Sequence, residues 1–153
     1  MKPFILTDVL AQRQYDKDLH SLLEKAVHLY ELEKTLCDRN GVYRDFDALH
    51  TREVRTLVGL EVEAGHLYDK NIGKSFFRGE EATRLAAFKS SLDYAHTFGV
   101  RGQDFLDSME YLEQALTKIC DEKDYVDLKT KMAHIGPPPQ RREVQIQNPV
   151  HTL

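Results

Sequence analysis

The stretch 15-YDKDLHSLLEKAVHLYELEKTL-36 sets the reading of the whole chain. Its apolar positions Tyr15, Leu19, Leu22, Ala26, Leu29 and Leu36 recur every three or four residues, and Glu33 stands in the same stripe. Residues at that spacing share one face of an α-helix. Two-residue alternation, the mark of a half-buried strand, is nearly absent here and through most of the chain. A helix with such a stripe must bury it against neighbours, and the remaining sequence supplies them.

The first helix is predicted from about Thr7 or Asp8, both good N-caps, to about Asp38, with "RNG" at 39–41 as its stop. A second runs from about Tyr43 to Asp69, with the stripe Phe46, His50, Glu53, Leu57, Leu60, Ala64 and Leu67. A third lies within 75–98, striped by Phe77, Glu81, Leu85, Phe88, Leu92 and Ala95 and closed by Gly99. The fourth begins near Gln103 or Asp104 and carries Phe105, Met109, Leu112, Leu116 and Ile119. At "DEKD" (121–124) the stripe changes phase, so Tyr125, Leu128 and Met132 belong to a short fifth helix. Pro137 to Pro139 stop helix formation and favour an extended chain, and "EVQIQN" beyond them alternates like a short strand.

Short connections make consecutive helices antiparallel neighbours. The expected fold is all-α: an antiparallel up-down-up-down four-helix bundle over 1–133, with the short C-terminal helix, and an extended proline-containing tail over 134–153. Folding helix one back on helix two near 40–41 aligns 36/46, 29/53, 26/57, 22/60 and 15/67 as layers.

A chain of 153 residues with 41% apolar and 30% charged residues is long enough for one domain with a sizeable core. The formal charge of −4 leaves no basic surplus for phosphate neutralisation, so general nucleic-acid binding is not expected. "MKPFILTDVL" is too short in apolar residues for a signal peptide, and no stretch approaches a membrane span. A cytoplasmic protein with its two cysteines, Cys37 and Cys120, reduced is the expectation, and two cysteines alone cannot make a structural zinc site.

Acid–histidine pairs three apart occur at His28/Glu31, Asp47/His50, His50/Glu53, Glu63/His66 and Asp93/His96. Bundle metalloproteins use such pairs as ligands. Helical phase separates them: His66 falls about 180° from Leu57 and His28 is likewise outward, whereas His50 and Glu53 lie within about 40° of Leu57. The layer alignment brings Glu33 opposite His50 and places His96 beside them. Glu33, His50, Glu53 and His96 thus form a candidate polar cluster. It is structural, or it binds a divalent metal ion, or it performs acid–base chemistry; the sequence leaves all three open.

Three short stretches resemble known families. "RDFDALH" (44–50) is similar to the Arg-x4–6-His pattern of HEPN ribonucleases, themselves helical bundles, which would imply Arg44 and His50 as catalytic residues of a dimer. Arg13 and His20 fit the same pattern. "AHTFGVRG" (95–102) resembles the core of histidine phosphotransfer domains, with Gly99 at the lysine position, and "REVRTLV" (52–58) resembles a kinase phosphoacceptor box with Arg52 in place of histidine. None assigns a family. "NIGKSFF" (71–77) lacks the first glycine of a phosphate loop and follows a helix rather than a strand, so it is read as a connector whose Phe76 and Phe77 cap the core. The function expected is that of a non-enzymatic interaction module. Its partner is another protein or a second copy of the chain, engaged through 136–153 or a helix face, with no cofactor.

Overall fold

The structure is a computed structural model that describes the chain over residues 4–40, 46–98 and 105–139, with side chains over 8–35, 37, 55–94 and 106–139. The described residues form five helices and no strand: α1 (Phe4–Asn40), α2 (Phe46–Asn71), α3 (Glu80–Phe98), α4 (Phe105–Lys123) and α5 (Val126–Ile135). The fold is all-α, as the 3.6-residue spacing required. None of the described helices is long and apolar enough to cross a membrane.

The stripes are the core. Tyr15, Leu19, Leu22, Ala26 and Leu29 of α1 are buried, and so are Leu57, Leu60, Ala64 and Leu67 of α2. Leu85, Phe88 and Leu92 of α3 meet Met109, Leu112, Leu116 and Ile119 of α4 and Leu128 and Met132 of α5 in the same cluster. Each fully buried side chain of this size contributes about 1.5–3 kcal/mol relative to exposure. α1 is buried more widely than its stripe, taking in Leu23, Val27 and Tyr30, because it packs on α2, α4 and α5. The further packed pairs are α2 on α3, α3 on α4 and α4 on α5.

Cross-helix links give the order of contacts. Lys25 reaches Glu63 at 3.1 Å and Asp18 reaches Lys70 at 3.5 Å, so α1 and α2 are matched in opposite sense. Arg84 pairs with Glu122, and Tyr94 stacks on Tyr111, in the same opposite sense along α3 and α4. Asp16 with Lys123 and Cys37 with Met109 repeat it for α1 and α4. α5 instead follows α1: His20 meets Asp127, and Tyr30 Oη donates to the Gly136 carbonyl at 2.9 Å. The α1–α2 ion pairs lie a few positions further along α2 than the layers 26/57 and 22/60. Helical side chains lean towards their own N-terminus, so tips that meet between opposed helices belong to later residues on both.

Helix ends depart from expectation where another bond competes. α1 starts at Phe4, ahead of Thr7 and Asp8. Asp8 lies inside the helix, and its Oδ2 accepts a 2.9 Å bond from Ser75 Oγ across the molecule. α3 lies within the 75–98 expected and begins at Glu80, since Gly73 and Gly79 hold φ of 91° and 52° and keep 72–79 in turns. Asn71 Nδ2 donates to the Leu67 carbonyl at 2.8 Å, closing α2. Phe77 is buried and Phe76 partly so; together with Tyr15 and Tyr68 they form an aromatic cap, with ring centroids 5.1–5.6 Å apart in three of its contacts.

The break expected at 121–124 is a Schellman turn. Asp124 takes φ 58°, Tyr125 N–H donates to the Cys120 carbonyl and Asp124 N–H to that of Asp121. α5 ends at Gly136, which takes a positive φ of 86° and whose N–H donates to Met132 O, and Pro137 follows. The rest of the proposed tail, from residue 140 on, lies outside the described residues, as does the alternating "EVQIQN".

Candidate functional site

Of the four residues expected to converge, only Glu33 has a described side chain. It is buried and engaged, near the C-terminal end of α1. The side chains of His50, Glu53 and His96, and Arg44 of the ribonuclease-like stretch, lie outside the described residues. His28 and His66 are exposed, as their phase required.

A polar cluster does exist, near the opposite end of α1, and the sequence signalled only one of its members. Glu81, in the stripe of α3, accepts from Arg84 at 2.9 Å and from Lys123 at 3.2 Å. Lys123 also reaches Asp16 at 3.1 Å, and Arg84 reaches Glu122 at 3.0 Å. α1, α3 and the end of α4 are thereby tied through one carboxylate. Arg84, Glu81 and Lys123 are all about 15% exposed, so their charges are screened little by solvent. Glu81 occupied the same kind of position as Glu53, a carboxylate in an apolar stripe, and that was the available signal. Asp16, Arg84, Glu122 and Lys123 sit beside their stripes, where charge is unremarkable.

Tyr15 and Tyr125 lean on this network. Burial, then the neighbouring Glu81 carboxylate, holds the Tyr15 phenol far above its ordinary range. Burial and then Asp16 do the same for Tyr125, whose Oη donates to the Asp16 carbonyl at 3.2 Å. Neither phenol ionises near neutrality. Tyr15 Oη has no partner within ordinary hydrogen-bond geometry, although Glu81 is close enough to bias its titration. An unmade bond at a buried hydroxyl costs about 1–3 kcal/mol. Tyr15→Phe is therefore expected to leave stability unchanged or raise it by about 1 kcal/mol in urea unfolding; a loss above 1 kcal/mol would show that the hydroxyl is bonded in solution.

Neither cysteine is set up as a nucleophile. The Cys120 thiol is buried and pushed up to about 11, by burial first and then by Asp121 and Asp127, so it stays protonated. Cys37 is buried with its Sγ 3.8 Å from Met109 Sδ. Neither cysteine is in a disulfide.

Between α3 and α4 lies an open groove of about 460 Å³. Phe88, Ala87, Ala115 and Ile119 give it an apolar lining, Glu80, Arg84, Lys118 and Glu122 are its charged residues, and Tyr111 stands among them. Alanines at 87 and 115 create the space. Tyr111 is 44% exposed while its ring stacks on Tyr94 at 4.5 Å, a rigid aromatic surface open to solvent. No protein-family profile matches the chain, and searches among characterised proteins and among solved structures return no match.

Proposed function

We propose that the chain is a non-enzymatic interaction module, an adaptor or regulatory subunit, built on an antiparallel up-down-up-down four-helix bundle of α1 to α4. The ring of packed pairs, α1–α2, α2–α3, α3–α4 and α1–α4, supports that arrangement, as do the opposed links along three of them. α5 then lies along α1 and α4 as an added strut.

One observation carries the functional reading: the α3–α4 groove is open, with an apolar lining that also holds charged residues. That composition suits an amphipathic helix or an extended segment of a protein partner, with apolar anchors received by the lining and charges met by its charged residues. Two of the groove's charged residues, Arg84 and Glu122, also belong to the charge network. Its cations are already matched by Glu81, Glu122 and Asp16, which suits holding helices together.

A photo-reactive residue at Gln114 tests the reading. It is expected to cross-link a recurrent partner protein in cells, and the product is expected to vanish with Ala115→Arg and persist with His66→Arg on exposed α2 surface. Cross-linking that ignores Ala115→Arg removes the groove from the argument. Deletion of 140–153 separates the two routes. It spares the Tyr30–Gly136 bond, so the helices stay folded, and it abolishes capture only if the tail is the contact.

A further inference from the structure

His20 gathers charge from two helices. Its Nε2 lies 2.9 Å from Asp127 Oδ2 and 3.2 Å from Oδ1, and its Nδ1 lies 3.9 Å from Glu24 Oε1. Glu24 is one turn further along α1, and Asp127 is in the first turn of α5. One donor atom from each of the three residues falls within 4.8 Å of the other two. The imidazole stands edge-on to Tyr125, with centroids 4.9 Å apart and planes at 78°, so an aromatic wall fixes the ring.

Neighbouring carboxylates at this seam are matched by lysines. Glu31, Asp121 and Asp124 have lysine partners in Lys131 and Lys129. Among the described residues, the ion pairs of Glu24 and Asp127 lead to His20 alone. Two carboxylates thus converge on one imidazole, which brings at most a single positive charge and, when neutral, none.

We propose that His20, Glu24 and Asp127 bind one divalent transition-metal ion of the zinc class across the α1–α5 seam. One imidazole with two carboxylates suits zinc, cobalt or nickel, whereas magnesium and calcium favour all-oxygen sets. His20 and Glu24, four apart, face the same side of α1 and form a chelating pair, and α5 delivers the third ligand. Bonds of about 2.0–2.1 Å in tetrahedral geometry separate donors by about 3.3 Å. With the ion on Nε2, the 2.9 Å contact to Asp127 opens by a few tenths of an ångström, and the exposed Glu24 side chain, which stands 3.9 Å from Nδ1, moves round the ring to the Nε2 side. Water fills the remaining position. Binding needs a ring nitrogen without its proton, so affinity is expected to fall as protons compete for the ligands at low pH. Binding fastens α5, and with it residues 136–139, to α1. This site is separate from the α3–α4 groove, and its test does not depend on that reading.

Titration of the full chain, prepared without a histidine tag, with zinc chloride against a chromophoric chelator tests the proposal. One zinc ion per chain is expected, with slower amide exchange in α5 and a visible absorption band when cobalt chloride is used instead. Affinity is expected to fall at least about tenfold in His20→Gln and in Asp127→Asn, and to be unchanged in His66→Gln. Asp127 is mostly exposed, so its substitution removes a ligand without disturbing the core. Magnesium and calcium chloride are expected to leave α5 exchange unaltered. The proposal fails if zinc binds only at millimolar concentration, if binding survives both His20→Gln and Asp127→Asn, or if it is lost instead with His50→Ala.

Discussion

Phe88→Ala is expected to lower the stability of the fold by about 3–5 kcal/mol, more than any single change in the charge network. Phe88 is 2% exposed and stands between the core and the α3–α4 groove. Truncation removes its contacts with the core and opens a cavity that rigid neighbours fill only in part. In urea unfolding the midpoint is expected to fall with an unchanged slope. The backbone at this point keeps its own support, since Ser91 Oγ donates to the Phe88 carbonyl at 2.7 Å whatever side chain stands at 88. A loss near 1 kcal/mol would mean that the groove walls collapse into the space, and the groove would then be plastic rather than preformed.

The second large effect concerns the charge network. Arg84→Met and Lys123→Met are each expected to cost about 1–3 kcal/mol, because each leaves Glu81 with one remaining cation. Asp16 and Glu122 are about 40% exposed, so their lost pairs contribute less than the buried side of the network. Together the two substitutions strand a mostly buried carboxylate, and the cost is expected to exceed the sum by at least about 1 kcal/mol. Adding Glu81→Leu to the double variant is expected to recover most of the loss, since an apolar residue then completes the stripe between Phe77 and Leu85. Additive single effects, or no recovery with Glu81→Leu, would show that the three helices are held by packing alone and that the ion pairs follow from it.

The contrast between the two polar clusters shows how far the sequence reaches. Glu33 and Glu81 were visible as carboxylates in apolar stripes, and both are held away from solvent. What each touches could not be read, because a wheel position fixes a direction and not the residue that arrives from another helix. Lys123 illustrates this. It ends α4 just before the turn at Asp124, and only the approach of α1 and α3 to that end surrounds it with Asp16 and Glu81. Tyr15 is similar. Its place in the core followed from spacing, but its unpartnered hydroxyl depends on what the 71–79 turn leaves beside it.

The sequence by itself determined that this protein is all-α, that stripe residues such as Leu19, Leu22, Leu60, Leu85 and Leu112 are buried, that His28 and His66 face outward, and that the chain turns between α4 and α5. Those properties are local: a 3.6-residue period and a left-handed turn depend on neighbours a few positions away. Only the tertiary structure decided that Glu81 gathers Arg84 and Lys123, that α3 and α4 leave a groove over Phe88, and that His20 meets Asp127. Those depend on how far each helix slides along its neighbours. Stripes repeating every three or four residues fit several such offsets about equally well. Side-chain volume and charge pairing between distant segments select one.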